Sequence, residues 1–304
     1  MPRISDNVLD CSIYLYPTER DAKEGTNIGG SGFLVGITSD LHVHGHVLAV
    51  TNSHVIEGGA SIIRINKADG QVEILPIPRD IWIFHPNGDD VAVCYLLIHY
   101  EPYQIKVVDV NQFITKKEMI DLQVGIGDEI FMVGRLIGLD GKQKNNPVVR
   151  LGNIASKSTE YIKQDDRDGY LQESFIIETH SISGFSGSPV FFHILPASVR
   201  PDGRVSQVHA GPWLLGIDWG HFSHGGKDTG ISFVVPAWKL QELLNSKKVA
   251  AIINEIDTKL KKAIKDKQKY FSVEVDSGSS REQLDSIVRK EAQQFKKQPK
   301  SDLK

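Results

Sequence analysis

Three short stretches of the chain carry the side chains that acyl transfer needs. Gly184-Phe185-Ser186-Gly187-Ser188-Pro189 sets a serine between glycines with a proline behind it. That composition suits a tight turn in which backbone N–H groups are bared and a hydroxyl is pushed outward. Upstream, Thr51-Asn52-Ser53-His54-Val55 follows the apolar run Val47 to Val50, and Asp90 opens Asp90-Val91-Ala92-Val93. A serine hydroxyl is a weak nucleophile at neutral pH, an imidazole can take its proton, and a carboxylate can hold that ring in the right tautomer. His, Asp and Ser in this chain order, each at the edge of an apolar run, have the order of one of the convergent triads. Alone, the glycine-serine-proline stretch is ordinary turn vocabulary and His54 a surface histidine before a turn. Either Asp89 or Asp90 can supply the acid on this pattern.

With Gly30-Ser31-Gly32-Phe33-Leu34-Val35, Leu215-Gly216-Ile217-Asp218-Trp219-Gly220 and Gly230-Ile231-Ser232-Phe233-Val234-Val235-Pro236, these stretches resemble the trypsin-like (chymotrypsin-fold) serine peptidases. They are most similar to the bacterial branch that includes the HtrA/Deg proteases, over roughly residues 10 to 244. The resemblance implies a mostly β fold of two six-stranded antiparallel β-barrels and a triad of His54, Asp90 and Ser186. Asp90 takes precedence over Asp89 because the family sets its aspartate directly before an aliphatic-Ala-aliphatic strand. The resemblance further implies an oxyanion hole from the backbone N–H groups of Gly184 and Ser186. It puts His180, Ser181, Asp218, Trp219 and Gly220 around the substrate, with no acid at the pocket base to favour Lys or Arg. Two positions depart from the family pattern. Ser188 stands where most relatives have a second glycine, and Asp218 where they have a serine or asparagine near the triad. A second carboxylate there shifts the titration of its neighbours or calls for a cation.

Apolar alternation supplies the elements that must hold these residues. Val8 to Tyr16 reads as a first strand, residues 17 to 27 as a loop, and Val47 to Val50 as the strand that delivers His54. Ser61 to Asn66 and Val72 to Ile77 read as a hairpin about Ala68-Asp69-Gly70. A linker near 100 to 120 divides barrel one, about 8 to 105, from barrel two, about 120 to 236, and a closing helix over 237 to 245 completes a peptidase domain, residues 1 to 244. The glycines of Val124-Gly125-Ile126-Gly127 precede a strand instead of opening a helix after one, which argues against a dinucleotide fingerprint. Val249, Ile252, Ile253, Ile256 and Leu260 mark one helical face, and Leu284, Ile287, Val288 and Phe295 another. Residues 246 to 304 are therefore expected to form a helical, basic extension with a disordered end from Pro299. No PDZ-like module is expected within residues 246 to 304.

Charge divides near the same boundary. Lys and Arg number 19 against 28 Asp and Glu in residues 1 to 238, and 16 against 10 in residues 239 to 304. Such a tail suits a solvated helix face or a protein partner better than nucleic acid. Cys11 and Cys94 lie in apolar runs and read as buried free thiols. His42, His44 and His46 share one side of an extended segment, a spacing that can hold zinc. With no acid or thiol nearby and Gly45 at a bend, they read as a hairpin with its polar side in water, so neither metal nor cofactor is expected. No run is long and apolar enough to span a bilayer, and Met1 to Asp10 lacks the pattern of a leader, which gives a cytoplasmic expectation with no membrane partner. The function expected is a serine endopeptidase that cuts polypeptides through an acyl-enzyme. An inactive or latent barrel pair used as a protein-binding scaffold, and an esterase, are the other readings of these residues.

Overall fold

The computed structural model describes residues 4–27, 29–39, 45–98, 101–135, 141–156, 159–164, 169–179, 185–196, 199–206, 210–225 and 227–275. The chain divides into two units, residues 1–253 and 254–304.

The first unit is built on two sheets. Strands β1 (Ser12–Tyr16), β2 (Gly30–Ile37), β3 (His46–Thr51), β4 (Ile62–Asn66), β5 (Val72–Pro76), β6 (Ile83–Phe84), β7 (Ala92–Leu96) and β8 (Val108–Asp109) form one. Its order is β5-β4-β1-β2-β3-β7-β6, with β8 laid parallel beside β2. Strands β9 (Glu129–Gly134), β10 (Val148–Ile154), β11 (Glu160–Lys163), β12 (Leu171–Thr179), β13 (Pro189–Ile194), β14 (Ala210–His224) and β15 (Lys227–Pro236) form the other, in the order β10-β9-β13-β14-β15-β12-β11. Because β10 also pairs with β12, six of these strands close into an antiparallel barrel. The first sheet is a half-barrel, with no ladder between β5 and β6 among the described residues. The fold is mostly β and chymotrypsin-like, as the resemblance implies.

Two cores explain why the strand before His54 is apolar without alternation. Val47 and Ala49 of β3 join Leu34, Ile63, Ala92 and Cys94 in one core. Leu48 and Val50 point the other way, into a core shared with Phe131, Val190, Leu215 and Val234 of the second sheet. A strand buried on both faces reads as a continuous apolar run, and each fully buried Val or Leu contributes about 1.5 to 3 kcal/mol. His54 thus follows a strand that is held from both sides.

Several sequence expectations shift locally. Helix α1 (Asp6–Leu9) occupies the start of the expected first strand, which begins at Ser12. The stretch read as a loop holds helix α2 (Glu19–Glu24), capped where Asp21 N–H donates to Thr18 Oγ1 at 3.1 Å and ended by Gly25 at φ +63°. Both signals are local and legible in hindsight. His46 is buried, with Nδ1 3.0 Å from Tyr95 Oη, so it does not face water; His42 and His44 lie outside the described residues. Cys11 and Cys94 are free and buried, and burial pushes each thiol to about 12. Helix α3 (Ser53–Glu57) carries His54, and α4 (Lys116–Asp121) fills the expected linker. Helix α5 (Ala237–Leu244) follows β15, and α6 (Lys247–Val275) begins the extension. The second expected helical face and the expected disordered end, residues 276 to 304, lie outside the described residues.

Candidate active site

Where β3 ends, Asn52 turns the chain into α3 and its side-chain amide donates to Asp90 O at 2.8 Å. This brings the start of α3 onto the aspartate. His54 N–H donates to Asp90 Oδ1 at 3.0 Å, and His54 Nδ1 lies 2.7 Å from Oδ2. The carboxylate is inaccessible to solvent while the imidazole keeps 25% of its side-chain surface exposed. A ring held at Nδ1 and a quarter open to solvent can exchange a proton at Nε2.

Asp89 faces elsewhere. Its carboxylate lies 3.1 Å from His85 Nδ1 and 3.2 Å from Lys239 Nζ, and His85 Nε2 lies 3.6 Å from Glu242. His85, Asp89 and Glu242 are close enough to share a metal ion, but the Lys239 ammonium already supplies a cation to Asp89, so we read the group as an ion-pair network. Burial works against the charge on Lys239, and Asp89, Glu242 and Glu173 outweigh it, so the lysine is held above its ordinary value. Burial holds the His85 imidazole below its own. Gln172 of β12 ties the two aspartates together. Its Oε1 accepts from Asp90 N–H at 2.8 Å, and its Nε2 donates to Asp89 Oδ1 at 3.0 Å. No sequence signal singles out this glutamine, since a polar residue in a strand is unremarkable by type.

Ser186 lies in a turn between buried Phe185 and β13. Ser188 N–H donates to Phe185 O at 2.8 Å, and the Ser186 carbonyl accepts from Ser31 N–H of β2 at 2.8 Å. Gly187 has φ +89°, and a Cβ there would stand 2.0 Å from Ser31 O and 2.4 Å from Thr51 Oγ1. Glycine is required twice over, by dihedral and by space. The same contacts seat the Ser186 turn against Thr51 at the end of β3, just ahead of α3, which carries His54. Gly184, His180 and Ser181 lie outside the described residues.

Asp218, Trp219 and Gly220 follow on β14. Gly187 N–H donates to Asp218 O, and Asp218 N–H to Ser188 O, both at 2.9 Å. The Asp218 side chain is buried behind this turn; burial pushes it up to about 8 and the nearby His54 opposes that shift. The ladder to β15 bulges between Asp218 and Gly220. Trp219 Nε1 donates to Ser174 Oγ at 2.9 Å and its ring stacks on Phe233, while a Cβ at Gly220 would meet open space. A separate apolar groove, lined by Met119, Ile120, Val124, Phe175 and Trp238 among others, shares no residue with His54, Asp90, Ser186 or Asp218.

Comparison with known proteins bears on this geometry. No family model matches the chain. It is 26% identical over 217 residues to a probable periplasmic serine endoprotease, DegP-like, of Rhizobium meliloti (strain 1021), a match that covers 71% of this chain and 32% of the relative. The chain thus spans about a third of that protein's length. Among solved structures it is similar to the active form of the Rv3671c protease from M. tuberculosis, at 17% identity and TM-score 0.46 over 78% of this chain and 81% of that one. It is also similar to the HtrA-type protease AlgW with a decapeptide, at 20% identity and TM-score 0.41 over 71% and 50% of the two chains. The chain is a relative of the trypsin-like serine peptidases of the HtrA/Deg type. No helix among the described residues is long and apolar enough to cross a membrane. The DegP-like relative is described as periplasmic, so the cytoplasmic expectation gains no support.

Proposed function

We propose that the chain is a serine endopeptidase in which His54 is the general base, Asp90 its orienting acid and Ser186 the nucleophile. The observation that carries this reading is the His54–Asp90 pair, 2.7 Å apart with the acid fully enclosed and the imidazole open to solvent. The bond from Ser31 N–H to the Ser186 carbonyl and the close approach of Gly187 to Thr51, three residues before His54, support this reading. The kinship with serine peptidases supports a hydrolase.

In the proposed reaction His54 takes the Ser186 proton as Oγ attacks the scissile carbonyl, and Asp90 stabilises the imidazolium that forms. The backbone N–H groups of Gly184 and Ser186 would receive the oxyanion, each worth about 3 to 4 kcal/mol in comparable sites. Collapse releases the amine, protonated by His54, and water then cleaves the acyl-enzyme by the same route. His180, Ser181, Trp219 and Gly220 are the proposed walls of the substrate site. Residues 1 to 244 would form the peptidase domain, and the extension from 246 a contact for a protein partner.

The test is fluorophosphonate labelling of the full chain beside Ser186→Ala and His54→Ala, with peptide mapping of the adduct. Labelling at Ser186 that both substitutions abolish is the expected result. A folded protein that takes no label would overturn the reading in favour of a binding scaffold, and a labelled protein that cleaves esters but no peptide library would make it an esterase.

A further inference from the structure

Asp218 is placed as few carboxylates are. Its main-chain N–H and carbonyl hold Ser188 and Gly187, the two residues that follow Ser186. Its neighbours along the strand, Leu215 and Ile217, are core residues, and its own side chain is 2% exposed. Unlike Asp90, which receives two donors from His54, Asp218 leaves Oδ1 buried with no hydrogen bond.

The charged surroundings are few. On α3 the group that acts on the Asp218 carboxyl is His54, itself paired with Asp90. From Phe185 to Phe192, along the turn and β13, no residue is ionisable, and none is between Gly230 and Pro236 on β15. On α5, which packs on β14, Lys239 and Glu242 are engaged with Asp89 and His85. No cation other than a protonated His54 stands ready for an anion at this position among the groups named.

We propose that Asp218 is a positioning residue of the site described above, whose enclosed carboxyl sets the basicity of His54 through the proton it holds or releases. This rests on His54 acting as the base for Ser186. While protonated, the side chain adds no charge behind the nucleophile turn. Once it loses its proton, to solvent base and with no other bond changed, a second negative charge faces the imidazole. An anion close by favours the imidazolium that forms as Ser186 is deprotonated, so the nucleophile is expected to become more reactive. The cost of leaving Oδ1 buried without a donor delays that ionisation, which fits the push of this group up to about 8.

The experiment follows the rate of fluorophosphonate labelling against pH for the full chain and for Asp218→Asn. The wild-type rate is expected to rise in two limbs, the second near pH 8. That second limb should amount to roughly a two- to tenfold gain, the size expected when a neighbouring charge moves a titration by up to about one unit. The isosteric amide should keep the first limb and lose the second. In a protein that labels, a wild-type profile with no second limb, or an Asp218→Asn profile that keeps it, would overturn the proposal. A readout that needs no catalysis separates it from the hydrolase reading: the His54 ring signals in Ser186→Ala, followed by NMR through the same pH range. They should report a second titration that Asp218→Asn in that background removes. Ring signals blind to the substitution would sink the proposal even if Ser186 labels, and ring signals that respond would sustain it even if Ser186 does not.

Discussion

Two aspartates of the candidate site come from two parts of the molecule, and both are shut away from solvent. Asp90 comes from the first sheet, just ahead of β7, and Asp218 from the middle of β14 in the second. At Asp90 both carboxylate oxygens face His54, its N–H at 3.0 Å and its Nδ1 at 2.7 Å, and the residue's own amide is bound by Gln172. At Asp218 the main chain is fully occupied, yet Oδ1 of the side chain makes no hydrogen bond. Burial is therefore not what separates them. The supply of donors is, and it turns the same residue type into an orienting acceptor in one place and a reluctant acid in the other.

Exchanging each acid for its amide should break the comparison in opposite directions. Asp90→Asn should cost the most, a fall of about 10⁴-fold in the rate of Ser186 labelling, because an amide facing Nδ1 favours the wrong tautomer of the base. A loss below tenfold would remove Asp90 from the proposed triad.

Asp218→Asn should instead relieve the fold. The native group titrates at about 8 against an ordinary 3.8, so between these values the native state holds a proton that the unfolded chain has released. Stability supplied by that proton is whole below the lower value and is lost as pH rises toward the upper one. Urea unfolding across this window should find the wild type losing on the order of a few kcal/mol more than Asp218→Asn does. Parallel slopes for the two proteins would show that the side chain is hydrated or paired.

Gln172→Ala sharpens the contrast at smaller amplitude. It strips a partner from both Asp90 N–H and Asp89 Oδ1, and a buried group left without its partner costs about 1 to 3 kcal/mol. The measured loss should appear in denaturant midpoints with the slope unchanged, and a neutral effect would mean that the bridge contributes nothing.

What was legible in the sequence follows from the range of each signal. His54 and Ser186 stand out by type, order and apolar context, whereas only the family resemblance separates Asp90 from Asp89. The unbroken run Val47 to Val50 is legible as the strand ahead of His54, and its burial on both faces comes from the two cores that meet on it. Asp218 was visible as an anomaly of type, but its want of a donor depends on what the turn at Gly187 and α3 present to it, and no local pattern encodes that. Gln172 was invisible for the same reason. The burial of His46 is not legible locally because its partner, Tyr95, comes from β7, far along the chain. Helix α2 is encoded locally, by Thr18 at its start and Gly25 at its end, within a stretch whose charge and glycine content read as a loop. The half-open first sheet turns on pairings between distant strands, which alternation within a strand cannot report.

The bond from Gly187 N–H to the Asp218 carbonyl has a consequence in time. The Ser186 turn takes part of its form from a strand that leaves the ribosome after it. At about 5 to 20 residues per second, the serine emerges a few seconds before the segment that completes its surroundings. For those few seconds the nascent chain carries Ser186 in a turn that lacks one of the bonds shaping it, and the proposed chemistry waits on β14.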